Sequence, residues 1–495
     1  MYKIGFDNDK YLEMQSEHIL ERINKFGGKL YLEFGGKLFD DYHAARVLPG
    51  FAPDSKIRML SRLKDEAEIV IVINASDIEK NKVRGDIGIT YDLDVLRLID
   101  AFRSFGLFVG SVVLTCYAEQ PAAMVFGKKL KKLGVPVYKH YPIPGYPSNL
   151  NLVVSDDGYG KNEYIKTSRK LVVVTAPGPG SGKMATCLSQ LYHEYKRGVK
   201  AGYAKFETFP IWNIALKHPV NVAYEAATAD LNDVNMIDPF HLEEYGEMTV
   251  NYNRDVEVFP VVKACLERML GECPYKSPTD MGVNMVGNCI FDEEAVQDAA
   301  KNEIIRRYFE ALCKRTRGEG EDNEVMKIEL LMEQVGVSVD DRAVIGVANK
   351  KEAATGGEPA CAIELPDGRI ITGKTSSLLG ASSAALLNSL KALAGIPKKT
   401  HLIPQNVIEP VMDLKTARLG GHNPRLHTDE ILIALCISAV TDENAAKAMA
   451  QLENLRNCEV HSSVMLSSVD ISVFKKLGCN LTCQPKYQTQ KLYHS

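Results

Sequence analysis

The stretch LVVVTAPGPGSGKMATCLSQLYHEY (Leu171 to Tyr195) constrains this chain more than any other. Its unbroken apolar run is of strand length and carries no polar face, so both faces need covering. A glycine-rich turn follows. Met184, Leu188, Leu191 and Tyr195 then recur at the spacing that lines one face of a helix. A buried strand running through a tight turn into a helix belongs to a parallel sheet between helical layers. The turn is chemically specific as well. Gly178, Gly180 and Gly182 let backbone N–H groups crowd round an anion without Cβ clashes. The helix N-terminus adds the positive end of its dipole, and Lys183 adds a point charge.

The rest of the first half repeats the same alternation. KLYLEF (29–34), EIVIVIN (68–74), LFVGSVVL (107–114), VPVY (135–138), NLVVS (151–155) and GYAKF (202–206) read as strands between helices. The fold class is α/β, with a parallel-sheet, phosphate-loop-like domain over residues 1–225. Residues 226–336 read as a mainly helical domain. One helix opens at Asp292-Glu293-Glu294, whose acidic side chains suit its positive end. Residues 337–495 return to a smaller α/β domain. It starts from a capping box at Ser338 and Asp341 and holds a hairpin (Glu358 to Thr375) turning at Pro366-Asp367-Gly368. A small-residue helix follows from about Leu379 to Ala394, and SVMLSSVD (463–470) and NLTC (480–483) are further strand candidates.

Against G-x-x-x-x-G-K-[ST], Pro177 replaces the first glycine and Met184 replaces the Mg²⁺-binding hydroxyl. Gly178, Gly180, Ser181, Gly182, Lys183 and Thr186 are therefore the expected nucleotide-binding residues, with Lys183 also the catalytic charge. An ATP-type ligand brings Mg²⁺, which takes one or two carboxylates beside phosphate oxygens. Thr186, Asp157 (after NLVVS) and Glu207 (after GYAKF) are the expected metal ligands. Asp280, Asn284 and Asn288 in SPTDMGVNMVGN fall at four-residue spacing, which on a helix is one face. Asp280 and Asn284 are the expected substrate-binding and catalytic groups there. GGHNPRLHTDE gathers His422, Arg425 and His427 in one loop, and Gly380, Ser382 and Ser383 stand at a helix start that suits an anion.

At 59 Lys and Arg against 63 Asp and Glu the net charge is −4, which argues against a nucleic-acid or anionic-membrane partner. Nothing approaches the ~20 apolar residues of a membrane span. Eleven scattered cysteines without framework spacing fit a reducing cytoplasm.

TAPGPGSGKMAT, KFETFPIWNIALKHPVN (205–221) and SPTDMGVNMVGN (277–288) resemble a large bacterial family of about this length, catalogued under a domain of unknown function. The resemblance spans nearly the whole chain and implies a cytosolic multi-domain protein. Some members are labelled ATP-dependent peptidases; His-Glu-x-x-His is absent here, so the sequence lends that label no support. The loop followed by KFETFPIWN is also similar to the dethiobiotin-synthetase-like branch of phosphate-loop enzymes, which activate a carboxylate with ATP. Three readings follow. The first is an ATP-dependent ligase or phosphotransferase acting on a small molecule. The second is an anion- or nucleotide-binding scaffold without turnover, favoured by Pro177 and Met184. The third is a nucleotide-independent hydrolase using Asp280, Asn284 and the His422–His427 loop. Homo-oligomerisation stays open.

Overall fold

Apolar runs that need cover on both faces find it in a parallel sheet. The computed structural model describes residues 3–85 and 87–488. Seven strands make the main sheet: β1 (Leu30–Phe34), β2 (Ala67–Asn74), β3 (Phe108–Thr115), β4 (Val137–Lys139), β5 (Leu171–Thr175), β6 (Gly202–Phe206) and β7 (Gly282–Val283). They lie in the order β7-β6-β1-β5-β2-β3-β4, and all pairs are parallel. β1, β5 and β6 are buried throughout, as strands inside a sheet covered on both faces are. On one face Tyr31, Val172, Val174 and Tyr203 pack with Leu188 and Leu191 of the helix Lys183–Lys196 and Phe259 and Val262 of the helix Asn253–Leu270. On the other, Phe34 stacks on Phe206 with ring centroids 4.0 Å apart.

The strand order creates a switch point. After β2 the chain moves to β3 on one side, whereas after β5 it moves to β6 on the other. The carboxyl ends of β5 and β2 therefore face a crevice from which the connecting segments diverge, where ligands of such sheets bind. The glycine turn leaves β5 there.

The chain divides into two compact units: 5–225 with 233–296, and 1–4 with 226–232 and 297–495. The stretch 226–336 is thus shared between them and is no separate helical body. Its part 233–296 supplies β7 and the helix Asn253–Leu270 to the first unit. In the second unit β8 (Ala360–Glu364) and β9 (Ile370–Lys374) form the expected hairpin. β10 (Glu459–Ser462) and β11 (Asn480–Cys483) complete a sheet ordered β9-β8-β10-β11. The small-residue helix spans Ala381–Leu393 and packs on the hairpin.

Two strand expectations fail. NLVVS lies in a short helix, Leu150–Val153, because the Asn149 side chain accepts the Leu152 N–H and starts a turn. SVMLSSVD is no strand either. Ser467 accepts the Asp470 N–H and opens the helix Ser468–Lys476, and the strand lies earlier, at EVHS. Among the described residues no helix is long and apolar enough to cross a membrane.

Candidate functional site

The turn after β5 is held from inside. The Ser181 hydroxyl donates to the Gly178 carbonyl at 2.8 Å, and the Thr115 hydroxyl, at the end of β3, donates to the Ser181 carbonyl at 2.6 Å. Gly178 lies against the Tyr91 ring, where an added Cβ would stand 2.6 Å from Tyr91 Cζ. Gly182, with φ +89°, is the N-cap of the helix Lys183–Lys196 and has no side chain to cap it. Thr186 N–H reaches the Gly182 carbonyl at 3.0 Å, while the N–H groups of Lys183, Met184 and Ala185 find no acceptor among the described residues. Three orphan donors thus open on the crevice. Lys183 is half-buried and makes no hydrogen bond or ion pair among the described residues. Gly178, Gly180, Ser181, Gly182 and Lys183 all lie in this one turn between β5 and the helix Lys183–Lys196.

The proposed metal ligands are not. Thr186 is fully buried, and its hydroxyl faces His140 Nδ1 at 3.5 Å. Burial pushes that imidazole down to about 4, so it is neutral. Asp157 does not follow a strand. Its neighbour Asp156 accepts from Tyr192 at 2.8 Å, nine residues along the helix from Lys183, or about 14 Å away along its axis. Glu207 does leave the carboxyl end of β6, but two strand spacings, about 10 Å, separate β6 from β5. Asp280 and Asn284 share no helical face, because the helix ends at Met281 and β7 begins. Asp280 caps Ser277 and accepts from Tyr245 (3.0 Å), and the Asn284 amide donates to the Thr208 and Pro210 carbonyls. His422 and His427 belong to the second unit, Asp280 and Asn284 to the first.

The sequence reading passed over a buried ionic cluster beside Glu207. Lys205 Nζ contacts Asp255 and lies 2.6 Å from Glu207, and the Tyr252 hydroxyl donates to Glu207 at 2.9 Å. Tyr203 donates to Glu33 at 2.7 Å, and Glu33 pairs in register with Lys205 across β1 and β6. Burial alone would lower the Lys205 ammonium, but Asp255, Glu207 and Glu33 outweigh it and hold the charge. Burial pushes Glu207 up to about 8; Lys205 opposes that shift and Asp255 adds to it. Such a carboxyl exchanges a proton near neutrality. The signal was present in the sequence: a glutamate in LYLEF and a lysine in GYAKF are charges inside buried strands, which must find partners.

Folding raises the proton affinity of Glu207 above the model-peptide value of 4.5. The stability it contributes is therefore complete below pH 4.5 and lost as pH rises through about 8. Glu207→Gln is expected to flatten the fall in melting temperature between pH 6 and pH 9. An unchanged pH profile would place that titration elsewhere.

Compared with known families, residues 4–336 match the family described as domain of unknown function DUF1846, N-terminal. Residues 340–493 match its C-terminal counterpart. The chain is 58% identical over 493 residues to a UPF0371 protein of Streptococcus thermophilus, covering all of both chains. A UPF0371 protein of Streptococcus pyogenes serotype M5 is equally similar, at 58% over the same length and coverage.

Proposed function

The chain belongs to the DUF1846 family over almost its whole length, and we propose that it binds the phosphate of a nucleotide or another phosphorylated small molecule at Gly178–Lys183. One observation carries this reading: three uncapped N–H groups and an unpaired lysine amine stand together at the switch point of a parallel sheet. Unsatisfied donors and the helix dipole favour an anion, and the lysine supplies the counter-charge.

Mg²⁺ does not fit the residues first expected to hold it. Thr186 turns inward, Asp157 follows Asp156, whose carboxylate is held by Tyr192 at the far half of the helix, and among the described residues no three His, Cys, Asp or Glu side chains gather as a metal site. That favours binding without phosphoryl transfer, the scaffold alternative, over the ligase or phosphotransferase reading. An enzyme would still have a proton-exchanging group in Glu207, two strands away.

The test is calorimetric titration of the full chain with ATP, ADP and inorganic phosphate. Lys183→Ala is expected to weaken binding about 10- to 100-fold, the worth of one charge-assisted hydrogen bond. Equal affinity in the variant would remove the assignment.

A further inference from the structure

The second unit brings together two segments that the sequence keeps more than forty residues apart. Leu426 N–H donates to the Leu378 carbonyl at 2.9 Å, and the Leu426 carbonyl accepts from the Ser383 hydroxyl at 2.9 Å and from Gly380 N–H at 3.4 Å. Arg425 Nε donates to the Ser376 carbonyl at 2.8 Å. Residues 425–427 therefore run along the start of the helix Ala381–Leu393. That start has no side-chain cap, and among the described residues the N–H groups of Ala381, Ser382 and Ser383 find no acceptor.

A second observation points to a ligand. Ser382 is only 3% exposed, yet among the described residues its hydroxyl makes no hydrogen bond. It turns back over the helix start, 3.8 Å from where a Cβ on Gly380 would lie, with the Leu426 carbonyl at 3.9 Å from the same point. So enclosed a side chain with no protein partner leaves its hydroxyl to a ligand or to water.

His427 completes the arrangement. Asp470 Oδ2 lies 3.1 Å from its Nδ1, and a carboxylate only accepts, so Nδ1 carries the proton and Nε2 is left for another partner. Asp470 is itself fixed by Thr428 N–H, the Thr428 hydroxyl and the Ser467 hydroxyl. The hydrogen bond to Asp470 raises the imidazole above its usual range, with burial opposing; Lys415 lowers it and Glu430 raises it slightly. Lys415 and Glu430 neutralise each other at 2.8 Å.

We propose that this is a second anion site, independent of the glycine turn, which holds a small oxyanion (a phosphate or a carboxylate group) between the N–H groups of Ala381–Ser383, the Ser382 hydroxyl, Arg425 and His427. Helix donors, a hydroxyl and two cationic side chains are the recognised chemistry of oxyanion binding.

The experiment uses the full chain carrying Lys183→Ala, which weakens the first site about 10- to 100-fold, so that the tighter remaining site is read, titrated at pH 6 with inorganic phosphate and, separately, with succinate. One site per chain is expected for one of the two probes, and the probe bound tells phosphoryl from carboxylate. Arg425→Gln and Ser382→Ala, added singly, are each expected to weaken it, Arg425→Gln by about tenfold or more. His427→Gln should do the same, and because it also touches Asp470 its melting curve is recorded beside the binding. Binding of neither probe by the Lys183→Ala chain overturns the proposal even if the wild type binds phosphate, an outcome that leaves the glycine turn standing. Equal affinity in the Arg425→Gln and Ser382→Ala chains overturns it too.

Discussion

Replacing Lys205 by methionine is expected to destabilise the protein by about 3–5 kcal/mol, because removing one partner of a buried ion pair strands the other. Here one ammonium serves Asp255 and Glu207 directly, with Glu33 close enough to add to its charge. Methionine keeps most of the volume and supplies no charge, so packing changes little. The loss should appear in urea unfolding as a lower midpoint with an unchanged slope. It should also depend on pH in a stated direction. Lys205 opposes the upward shift of the Glu207 carboxyl, so without the ammonium Glu207 holds its proton still more tightly in the folded state, and stability falls as pH rises through its raised folded pKa. The variant should therefore lie nearer wild type at pH 5 than at pH 8. Adding Asp255→Asn should recover part of the loss, since it removes one stranded charge. A single variant within about 0.5 kcal/mol of wild type would mean that the cluster is solvated and carries no such weight.

The same cluster shows how far the sequence could be read. β5 was legible because its apolar run has no polar face and leads into a glycine turn, which leaves a covered sheet as its home, and β6 because it opens at Gly202 after the following helix. NLVVS had the same apolar character, but the five residues between Asn149 and Ser155 suit a turn of helix as well as a strand, and the Asn149 cap decides it. β7 was not legible, since two residues carry no period; only its register with β6 defines it. Thr186 was misplaced for a geometric reason. It stands two residues beyond the position a metal-binding hydroxyl takes in a phosphate loop, and two residues turn a helix by about 200°. The hydroxyl therefore faces His140 in the interior. The course of the turn was readable because it depends on glycines and one lysine in local order. Where the acidic side chains fall around it was not, because that depends on which strand lies beside which.

Gly373→Ala is expected to cost about 3 kcal/mol or more, the upper end for overpacking, because what it meets is main chain. Gly373 is buried in β9 where the helix Ala381–Leu393 crosses the hairpin. A Cβ there would lie 2.6 Å from Ala384 C and 2.7 Å from Ala381 O, and nearer still to Ala385 N. A side chain in the way can rotate; a helix backbone can only move as a whole. Relief therefore means lifting the helix off the sheet and opening the apolar contacts of Ala385, Leu386 and Leu390 within the core of this unit. Gly346→Ala is the matching control. Gly346 lies inside the helix Ala343–Ala354 with nothing within 4 Å of an added Cβ. There the substitution should stabilise by about 0.5–1 kcal/mol, the helical preference for alanine over glycine. Opposite signs for the same one-carbon change would locate the effect in the strand–helix contact. Because the lifted helix carries Ala381–Ser383 with it, Gly373→Ala should also weaken oxyanion binding at that helix start under conditions where the variant is still folded, while phosphate binding at Lys183 is unaffected. If both melting curves move together, or if neither moves, the tight approach at Gly373 is not what holds this helix in place.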